Sequence, residues 1–199
     1  MASINTSTLL QWLDQYLEVS RFKDYCPNGL QVEGAPTVRH IVTGVTASQA
    51  LLEAAVERGA DTVLVHHGWF WKNEDERIRG MKKKRLAFAL KHDLNLIAYH
   101  LPLDAHPIVG NNTQLARQLG LRQDLDEEGR PVGIGPSNLI QTGYLDQPET
   151  LENLAKNICE KLQRSPLVVG NPQQIIQRVA WCTGGAQGFM QEAIDAGVD

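Results

Sequence analysis

His66 and His67 are adjacent imidazoles at the point where an apolar run ends, and they are the residues of this chain most suited to chemistry. They follow Thr62-Val63-Leu64-Val65 and precede Gly68. In an open α/β sheet, ligands bind outside the carboxyl ends of the strands, and neutral imidazole is the commonest protein ligand for divalent transition metals. Gly68 permits a turn that brings both rings to one site. The pattern predicts metal ligation; the alternative is one buried, hydrogen-bonded histidine and one exposed loop histidine.

A second apolar strand, predicted at 94–99, leads to another group of side chains that can bind metal. In His100-Leu101-Pro102-Leu103-Asp104, an imidazole and a carboxylate stand four positions apart. If the two strands are neighbours in a parallel sheet, these groups collect at one edge. Imidazoles with a carboxylate suit Zn, Mn, Fe or Ni better than Ca or Mg, and Asp104 could bridge two ions. Alternatively, Asp104 caps the following turn while His100 packs against the sheet.

Aromatic and basic residues lie between these two strand ends. The aromatic residues Trp69, Phe70 and Trp71 could stack on a planar substrate, or they could fill a core or an oligomer interface. The basic residues could collect an anionic substrate, or they could form a solvated helix face. They are Arg77, Arg79, Lys82, Lys83, Lys84 and Arg85.

The elements that must position these side chains alternate between strands and helices. This alternation indicates an α/β fold with a mostly parallel sheet and flanking helices. Apolar spacing and turn residues predict strands at 41–45, 61–65 and 94–99 and helices at 48–58, 81–92 and 112–119. A first helix is predicted from the spacing of Leu9, Leu10, Leu13 and Leu17. Thr6 or Ser7 is expected to cap the first helix.

The composition changes beyond residue 123, where 124–131 is polar and rich in turn residues. We therefore predict two lobes, a metal-binding α/β lobe at 1–122 and a second α/β lobe at 123–199. In the second lobe, 134–145 predicts a strand or hairpin, Pro148 is expected to open a helix, and Val179-Ala180-Trp181-Cys182 predicts a strand before a helix from about 187.

An internal echo suggests that one βα unit is duplicated. The segment from Gln187 matches the segment from Gln49, an offset of 138 positions, in the order strand, turn, helix, glycine, aspartate. The identical pairs are Gln49 and Gln187, Ala55 and Ala193, Gly59 and Gly197, and Asp61 and Asp199. In the second copy the sequence stops where the next strand should begin, so the second lobe is expected to be incomplete at its C-terminus.

The composition excludes several classes of protein. With 199 residues, 42% hydrophobic and 21% charged, the chain can build an ordinary globular core. A net charge of -4 argues against a surface made mainly for nucleic acid. No apolar stretch reaches the ~20 residues of a membrane span, and the start of the sequence lacks the pattern of a secretion signal. Three cysteines without a CxxC pair suggest reduced thiols and a cytoplasmic protein.

Five stretches of the sequence carry a resemblance to one known family. The chain resembles the dinuclear-metal-centre proteins named after the yeast Ngg-interacting factor three, the GTP cyclohydrolase 1 type 2 homologues, in a short bacterial form truncated at its C-terminus. The stretches are Tyr25-Cys26-Pro27-Asn28-Gly29-Leu30-Gln31-Val32-Glu33-Gly34, Thr43-Gly44-Val45-Thr46-Ala47-Ser48, Val65-His66-His67-Gly68, His100-Leu101-Pro102-Leu103-Asp104 and Trp181-Cys182-Thr183-Gly184-Gly185.

The resemblance implies an α/β protein that assembles into toroidal homohexamers and binds two divalent metal ions per subunit. By motif, the ligands carried over are His66, His67 and Asp104, while His100 would serve as a catalytic group in the outer shell. The family's remaining ligands, a histidine and a glutamate four residues apart, belong to a later segment that has no counterpart in this sequence.

Two functions are compatible with these observations. The first is a metal-dependent hydrolase, GTP cyclohydrolase-like, that acts on a nucleotide-like, cyclic amide or phosphate-bearing small molecule. The second is a non-catalytic metal-binding hexamer that serves as a scaffold or regulatory partner. Turnover that requires both added metal and Asp104 would distinguish the enzyme from the scaffold.

Overall fold

The chain divides into two units at Leu103, earlier than the boundary at 122 expected from composition. The structure is a computed structural model that describes residues 2–199. The first unit ends at Leu103 and the second runs from Asp104 to Asp199. Residues 104–122 belong to the second unit because Asn112 is bound there: its Nδ2 donates to the Leu139 carbonyl at 2.8 Å, and its own carbonyl accepts from Trp181 Nε1 at 3.0 Å.

The first unit contains a four-stranded sheet, a two-stranded sheet and three helices. A short 3-10 turn at Val19–Arg21 follows the first helix, and a further helix, Leu101–Ala105, crosses the unit boundary. In chain order the elements are β1 (Ile4–Asn5), α1 (Thr6–Tyr16), β2 (Gly29–Val32), β3 (Thr37–Val38), β4 (Ile41–Thr46), α2 (Gln49–Glu57), β5 (Thr62–His67), α3 (Gly80–Lys91), β6 (Asn95–Ala98) and α4 (Leu101–Ala105).

The larger sheet has the order β2-β6-β5-β4. Strands β4, β5 and β6 are parallel, as the sequence predicts, whereas β2 is antiparallel to β6. Apolar clusters lie on both faces. One includes Leu52 of α2 and Ala89 of α3, and the other joins Leu17 to Ile97. The parallel strands therefore deliver their carboxyl ends to one edge between two packed layers.

Side-chain caps fix where the first helices begin. Helix α1 is capped by Asn5, whose side chain accepts from the Ser7 backbone N–H, so the expected cap at Thr6 or Ser7 is wrong by one or two positions. Ser48 caps α2 by accepting from the Leu51 backbone N–H. Gly59 follows α2 at φ 68°, a left-handed conformation that glycine adopts without a steric penalty.

The second unit has an antiparallel sheet, so the expectation of a mostly parallel sheet holds for the first unit alone. Strand order is β10-β9-β7, with β8 also paired to β9, and every pairing is antiparallel. Two 3-10 turns, Pro136–Asn138 and Gln187–Phe189, complete the unit. Its elements are α5 (Asn111–Leu119), β7 (Leu121–Gln123), β8 (Gly133–Ile134), β9 (Ile140–Thr150), α6 (Leu151–Leu162), β10 (Ile175–Trp181) and α7 (Met190–Asp195).

Pro148 lies within β9, and the helix expected to open there begins later, at Leu151. Thr150 caps that helix by accepting from the Asn153 backbone N–H. The pairing of β9 with β10 shifts register between Ile176 and Arg178, opposite this part of β9. A proline is tolerated at such an irregularity because no ladder hydrogen bond requires its missing N–H.

The hydrogen bonds around Asp61 recur around Asp199 at the offset of 138 positions. Asp61 donates its backbone N–H to the His40 carbonyl, and its carboxylate accepts from the Arg39 and His40 backbone N–H groups. Asp199 makes the same three bonds with the carbonyl of Arg178 and the N–H groups of Gln177 and Arg178. This match is what a duplicated βα unit predicts.

Two findings concern the expected class of protein. Among residues 2–199, no helix combines the length and apolar character needed to cross a membrane. The three cysteines, Cys26, Cys159 and Cys182, are free thiols.

Candidate metal centre

Three imidazoles meet at the carboxyl edge of the first sheet. His66 and His67 are the last residues of β5, and His100 follows β6 by two positions. Because β5 and β6 are parallel neighbours, both strands end at the same edge. The ring centroid of His66 lies 4.4 Å from that of His67 and 5.0 Å from that of His100. The centroids of His67 and His100 are 5.7 Å apart.

The spacing of the three rings fits a single divalent cation. One nitrogen from each ring can be chosen so that all three lie within 4.8 Å of one another. Two nitrogens on one zinc ion are at most about 4 Å apart, because each Zn–N bond is about 2 Å long. Small rotations of the rings would shorten the nitrogen–nitrogen distances from up to 4.8 Å to the roughly 4 Å that one ion requires. His66, His67 and His100 are all half-buried, so a cation would be only partly exposed to water.

Hydrogen bonds set the tautomers of two of these rings. His66 Nδ1 lies 3.0 Å from the Tyr99 carbonyl oxygen, which can only accept. His100 Nδ1 lies 2.7 Å from Asp24 Oδ1. In each neutral ring, Nδ1 therefore carries the hydrogen and Nε2 carries the lone pair that a metal needs. His67 Nδ1 is 3.4 Å from the Thr46 hydroxyl, a contact compatible with either tautomer.

Asp24 is the charged group behind this cluster. Burial opposes its ionisation, but hydrogen bonds from His100, Asn28 and the backbone outweigh burial and lower the pKa of the Asp24 carboxyl below its ordinary value. Cys26 lies close enough to Asp24 and His100 to make a second possible cation group. Its own environment disfavours the thiolate, since burial and then the charge of Asp24 raise the pKa of the Cys26 thiol to about 12.

Of the two tryptophans after the histidine pair, one belongs to the core and one to the site. Trp69 is buried and donates Nε1 to the Ala47 carbonyl at 3.0 Å. Trp71 meets His67 and His100 edge to face, with ring centroids at 5.7 and 4.9 Å. Phe70, between them, has φ 64°, which is unusual for a bulky residue. The turn thus points one indole into the core and lays the other against the imidazoles.

Three of the six basic residues, Arg77, Arg79 and Lys82, pair with acidic residues of the loop that precedes α3. Arg77 and Arg79 pair with Asp75 at 2.8 Å each. Lys82 lies 3.5 Å from the Glu74 carboxylate, and its ammonium is 5.2 Å from the centroid of the Phe70 ring. These pairs favour a solvated, internally compensated surface over an anion-collecting rim.

Asp104, the predicted carboxylate ligand, begins the second unit. It is buried, its Oδ1 accepts from Asn111 Nδ2 at 2.7 Å, and the same oxygen lies 3.4 Å from the Thr183 hydroxyl oxygen. The Thr183 hydroxyl donates to Asn112 Oδ1 at 2.9 Å, and the Thr183 backbone N–H donates to the same oxygen at 2.7 Å. Burial and the charge of Asp104 raise the pKa of the nearby Cys182 thiol. The role of Asp104 as a metal ligand stays a prediction.

Sequence reasoning singled out His66, His67 and His100 but missed the groups that hold them. Asp24 precedes the recognised motif by one residue, and nothing local marks it as a partner of His100. Asn28 belongs to the stretch that starts at Tyr25, and its Oδ1 accepts from the His100 backbone N–H at 2.8 Å. The available signal was that Asn28 lies within a segment that resembles a metal-binding family and that Asp24 directly precedes this segment.

Comparison of sequences identifies relatives along nearly the whole chain. The sequence model of the family Duf34/NIF3 (NGG1p interacting factor 3) matches residues 4–199. A protein of Pseudomonas aeruginosa named "GTP cyclohydrolase 1 type 2 homolog" is 54% identical over 197 residues, covering 99% of this chain and 76% of the relative. A protein of the same name from Escherichia coli strain K12 is 49% identical, covering 98% and 76%.

Solved structures share the fold. Protein ybgI, described as of unknown function, superposes with a TM-score of 0.88 at 49% identity, covering 98% of this chain and 76% of that one. TTHA1606 from Thermus thermophilus gives a TM-score of 0.76 at 34% identity, covering 94% and 74%. The chain thus spans about three quarters of the length of these relatives.

Proposed function

The chain belongs to the Duf34/NIF3 family, and on that premise we propose that it is a divalent-metal-dependent hydrolase of the GTP cyclohydrolase 1 type 2 kind. The proposed ligands are His66, His67 and Asp104, and two divalent ions per subunit, Zn, Mn, Fe or Ni, are the proposed cofactors. The substrate class is a nucleotide-like, cyclic amide or phosphate-bearing small molecule. The proposal includes the homohexamer that the family resemblance predicts.

One observation carries this proposal: three imidazoles converge at the carboxyl edge of the first sheet, and two of them have Nδ1 engaged. His66 gives its Nδ1–H to the Tyr99 carbonyl, and His100 gives its Nδ1–H to Asp24. Both rings are thereby prepared to present Nε2 as a donor atom. Imidazole donors select transition metals over Ca and Mg, so the donor set fits the ions proposed.

The chain's own residues would prepare a hydrolytic site in two ways. The imidazoles would hold the ions, and bound ions would supply Lewis acidity towards a substrate and would lower the pKa of a coordinated water. Trp71 lies edge to face against His67 and His100, and an apolar ring there would reduce the access of water to that side of the site.

The test is turnover by metal-depleted protein before and after each ion is added back. The substrates are GTP and a panel of nucleotides and cyclic amides, with released formate, phosphate and ring-opened product measured. We expect hydrolysis of at least one class only with metal, and a loss of at least 100-fold in kcat/KM for His67→Ala and Asp104→Asn, on the order of removing a metal ligand.

His40→Ala is the matched control, because His40 is an exposed imidazole that directly precedes β4, at the opposite edge of the same sheet. Its turnover should equal that of the wild type. Metal uptake without turnover of any substrate, with Asp104→Asn changing assembly only, would contradict the enzyme and favour the non-catalytic scaffold.

A further inference from the structure

Asp24 is a buried carboxylate in direct contact with the candidate metal centre. It lies in the loop between the 3-10 turn Val19–Arg21 and β2, and its side chain is 3% exposed. Its Oδ1 is 2.7 Å from His100 Nδ1, across 76 positions of sequence. A carboxylate is costly to bury unless its oxygens are hydrogen-bonded. The burial of Asp24 beside His100 therefore suggests that this carboxylate has a function at the site.

Every acceptor position of Asp24 is used. Oδ1 accepts from the Tyr25 backbone N–H at 2.6 Å as well as from His100. Oδ2 accepts from the Leu101 backbone N–H and from Asn28 Nδ2, both at 2.9 Å. Since both oxygens accept N–H groups, the carboxyl is ionised. A carboxylate has about four lone-pair sites, and four donors fill them.

This saturation decides between two roles for Asp24. Distances alone would allow Asp24, Cys26 and His100 to share a cation. Direct ligation by Asp24 would require breaking at least one of these four hydrogen bonds, and the N–H group that lost the bond would lose its acceptor. A carboxylate that accepts from the distal nitrogen of a histidine instead fixes the tautomer, orients the ring and raises its basicity as a ligand.

We propose that Asp24 is a positioning residue that makes His100 a third imidazole ligand of the metal centre, with Nε2 directed to the ion held by His66 and His67. This inference rests on the metal centre of the proposed function but not on its hydrolytic activity. Asn28 assists by accepting from the His100 backbone N–H at 2.8 Å while it donates to Asp24. Carboxylate, amide and imidazole thus form one connected unit behind the ion.

The experiment is titration of metal-depleted protein with Co²⁺, followed by the visible absorption of the bound ion and by tryptophan fluorescence, to which Trp71 contributes beside the imidazoles. Asp24→Asn should weaken Co²⁺ binding by about 10- to 100-fold, the usual effect of removing a carboxylate behind a ligating histidine, and should change the absorption spectrum. Asp14→Asn is the control, because Asp14 is a carboxylate of the same unit that accepts from the Tyr99 hydroxyl; the affinity of this variant should equal that of the wild type.

A double-mutant cycle separates this role from a general effect on the fold. If Asp24 acts through His100, adding Asp24→Asn to His100→Gln produces no further loss of Co²⁺ affinity. If the losses of Co²⁺ affinity from the two single variants simply added in the double variant, the proposal would be overturned. Wild-type affinity in Asp24→Asn would also overturn it. Absence of turnover in protein that binds Co²⁺ normally would count against the hydrolase only.

Wild-type protein supplies a second measurement if Asp24→Asn does not fold. Long-range ¹H–¹⁵N correlation spectra of histidine-labelled, metal-free protein report which ring nitrogen carries the hydrogen. His100, assigned by its missing signals in His100→Gln, should be the Nδ1–H tautomer. An Nε2–H tautomer would overturn the proposal.

Discussion

Cys26 shows how strongly one residue's surroundings can set its chemistry. It is 8% exposed and lies beside the ionised Asp24. Burial disfavours a charged thiolate, and the neighbouring negative charge disfavours it further, which together raise the pKa of the thiol to about 12. The thiolate is the nucleophile and the metal ligand, so Cys26 is expected to be chemically inert near neutral pH.

The prediction for Cys26 concerns alkylation by iodoacetamide between pH 7 and 10. Because its pKa is raised, the thiolate fraction stays low throughout this range and grows only as pH approaches 12. Labelling of Cys26 in the native protein should therefore be at least about 100-fold slower than in urea, where the pKa is ordinary. Peptide mass spectrometry would measure both rates, with the half-buried Cys159 as the internal reference.

Native labelling of Cys26 at the rate seen in urea would show that the thiol is neither buried nor held protonated.

The raised pKa of the Cys26 thiol also affects how the stability of the protein depends on pH. The unfolded chain loses this proton near pH 9, the ordinary value for a thiol, while the folded chain retains it. The contribution of Cys26 to stability is therefore complete below that pH and is lost as pH rises towards 12.

At the residue scale, the sequence was enough to predict that the three imidazoles lie together. It was not enough to predict which residues hydrogen-bond to them. His66, His67 and His100 could be placed together because each follows an apolar strand, and parallel strands end at one edge. Asp24 could not be found in this way. Its contact with His100 is made by an irregular loop, and no periodicity links positions 76 apart.

At the element scale, Gly68 allows β5 to end close beside β6. The sequence suggested that Gly68 provides a turn, but its backbone does not adopt a positive φ. Its role is space. A Cβ added there would lie 2.7 Å from the Cβ of Ala98 and would collide with the Gln31 side chain. Gln31 Oε1 in turn accepts from the Trp69 backbone N–H at 2.6 Å, which fixes the start of the aromatic turn.

Gly68→Ala should therefore destabilise the protein and disturb the metal centre. Overpacking of this kind costs about 1–3 kcal/mol in the free energy of unfolding, and displacement of Gln31 would loosen the turn that carries Trp71. Urea denaturation followed by fluorescence would measure the loss. Gly185→Ala is the control, because a Cβ at Gly185 meets nothing within 4 Å; we expect a change below about 0.5 kcal/mol. Equal stability of the two variants would contradict this account of Gly68.

The elements also show where local patterns stop being informative. Alternation of strands and helices predicted the parallel order of β4, β5 and β6, because such connections require crossovers. In the second unit, the same reasoning did not reveal that β9 and β10 pair antiparallel. Helix α6 lies between these strands along the chain, but the direction of their pairing depends on distant contacts that leave no periodic signal.

At the scale of the whole molecule, each unit has its own sheet, and the two sheets are built differently. The first is largely parallel and carries three imidazoles at its carboxyl edge, whereas the second is antiparallel and holds Asp104 with Asn111 and Thr183. The matching hydrogen bonds of Asp61 and Asp199 are compatible with an origin of part of both units in one duplicated segment.

The most direct test of the central claim, that the imidazoles hold a divalent transition metal, is the metal content of the purified protein. Elemental mass spectrometry would compare wild type, His67→Ala and the control His40→Ala, all prepared without chelator. We predict at least about one equivalent of a transition metal in wild type and in His40→Ala, and its loss in His67→Ala. Folded wild-type protein without metal, or equal metal in His67→Ala, would contradict the claim.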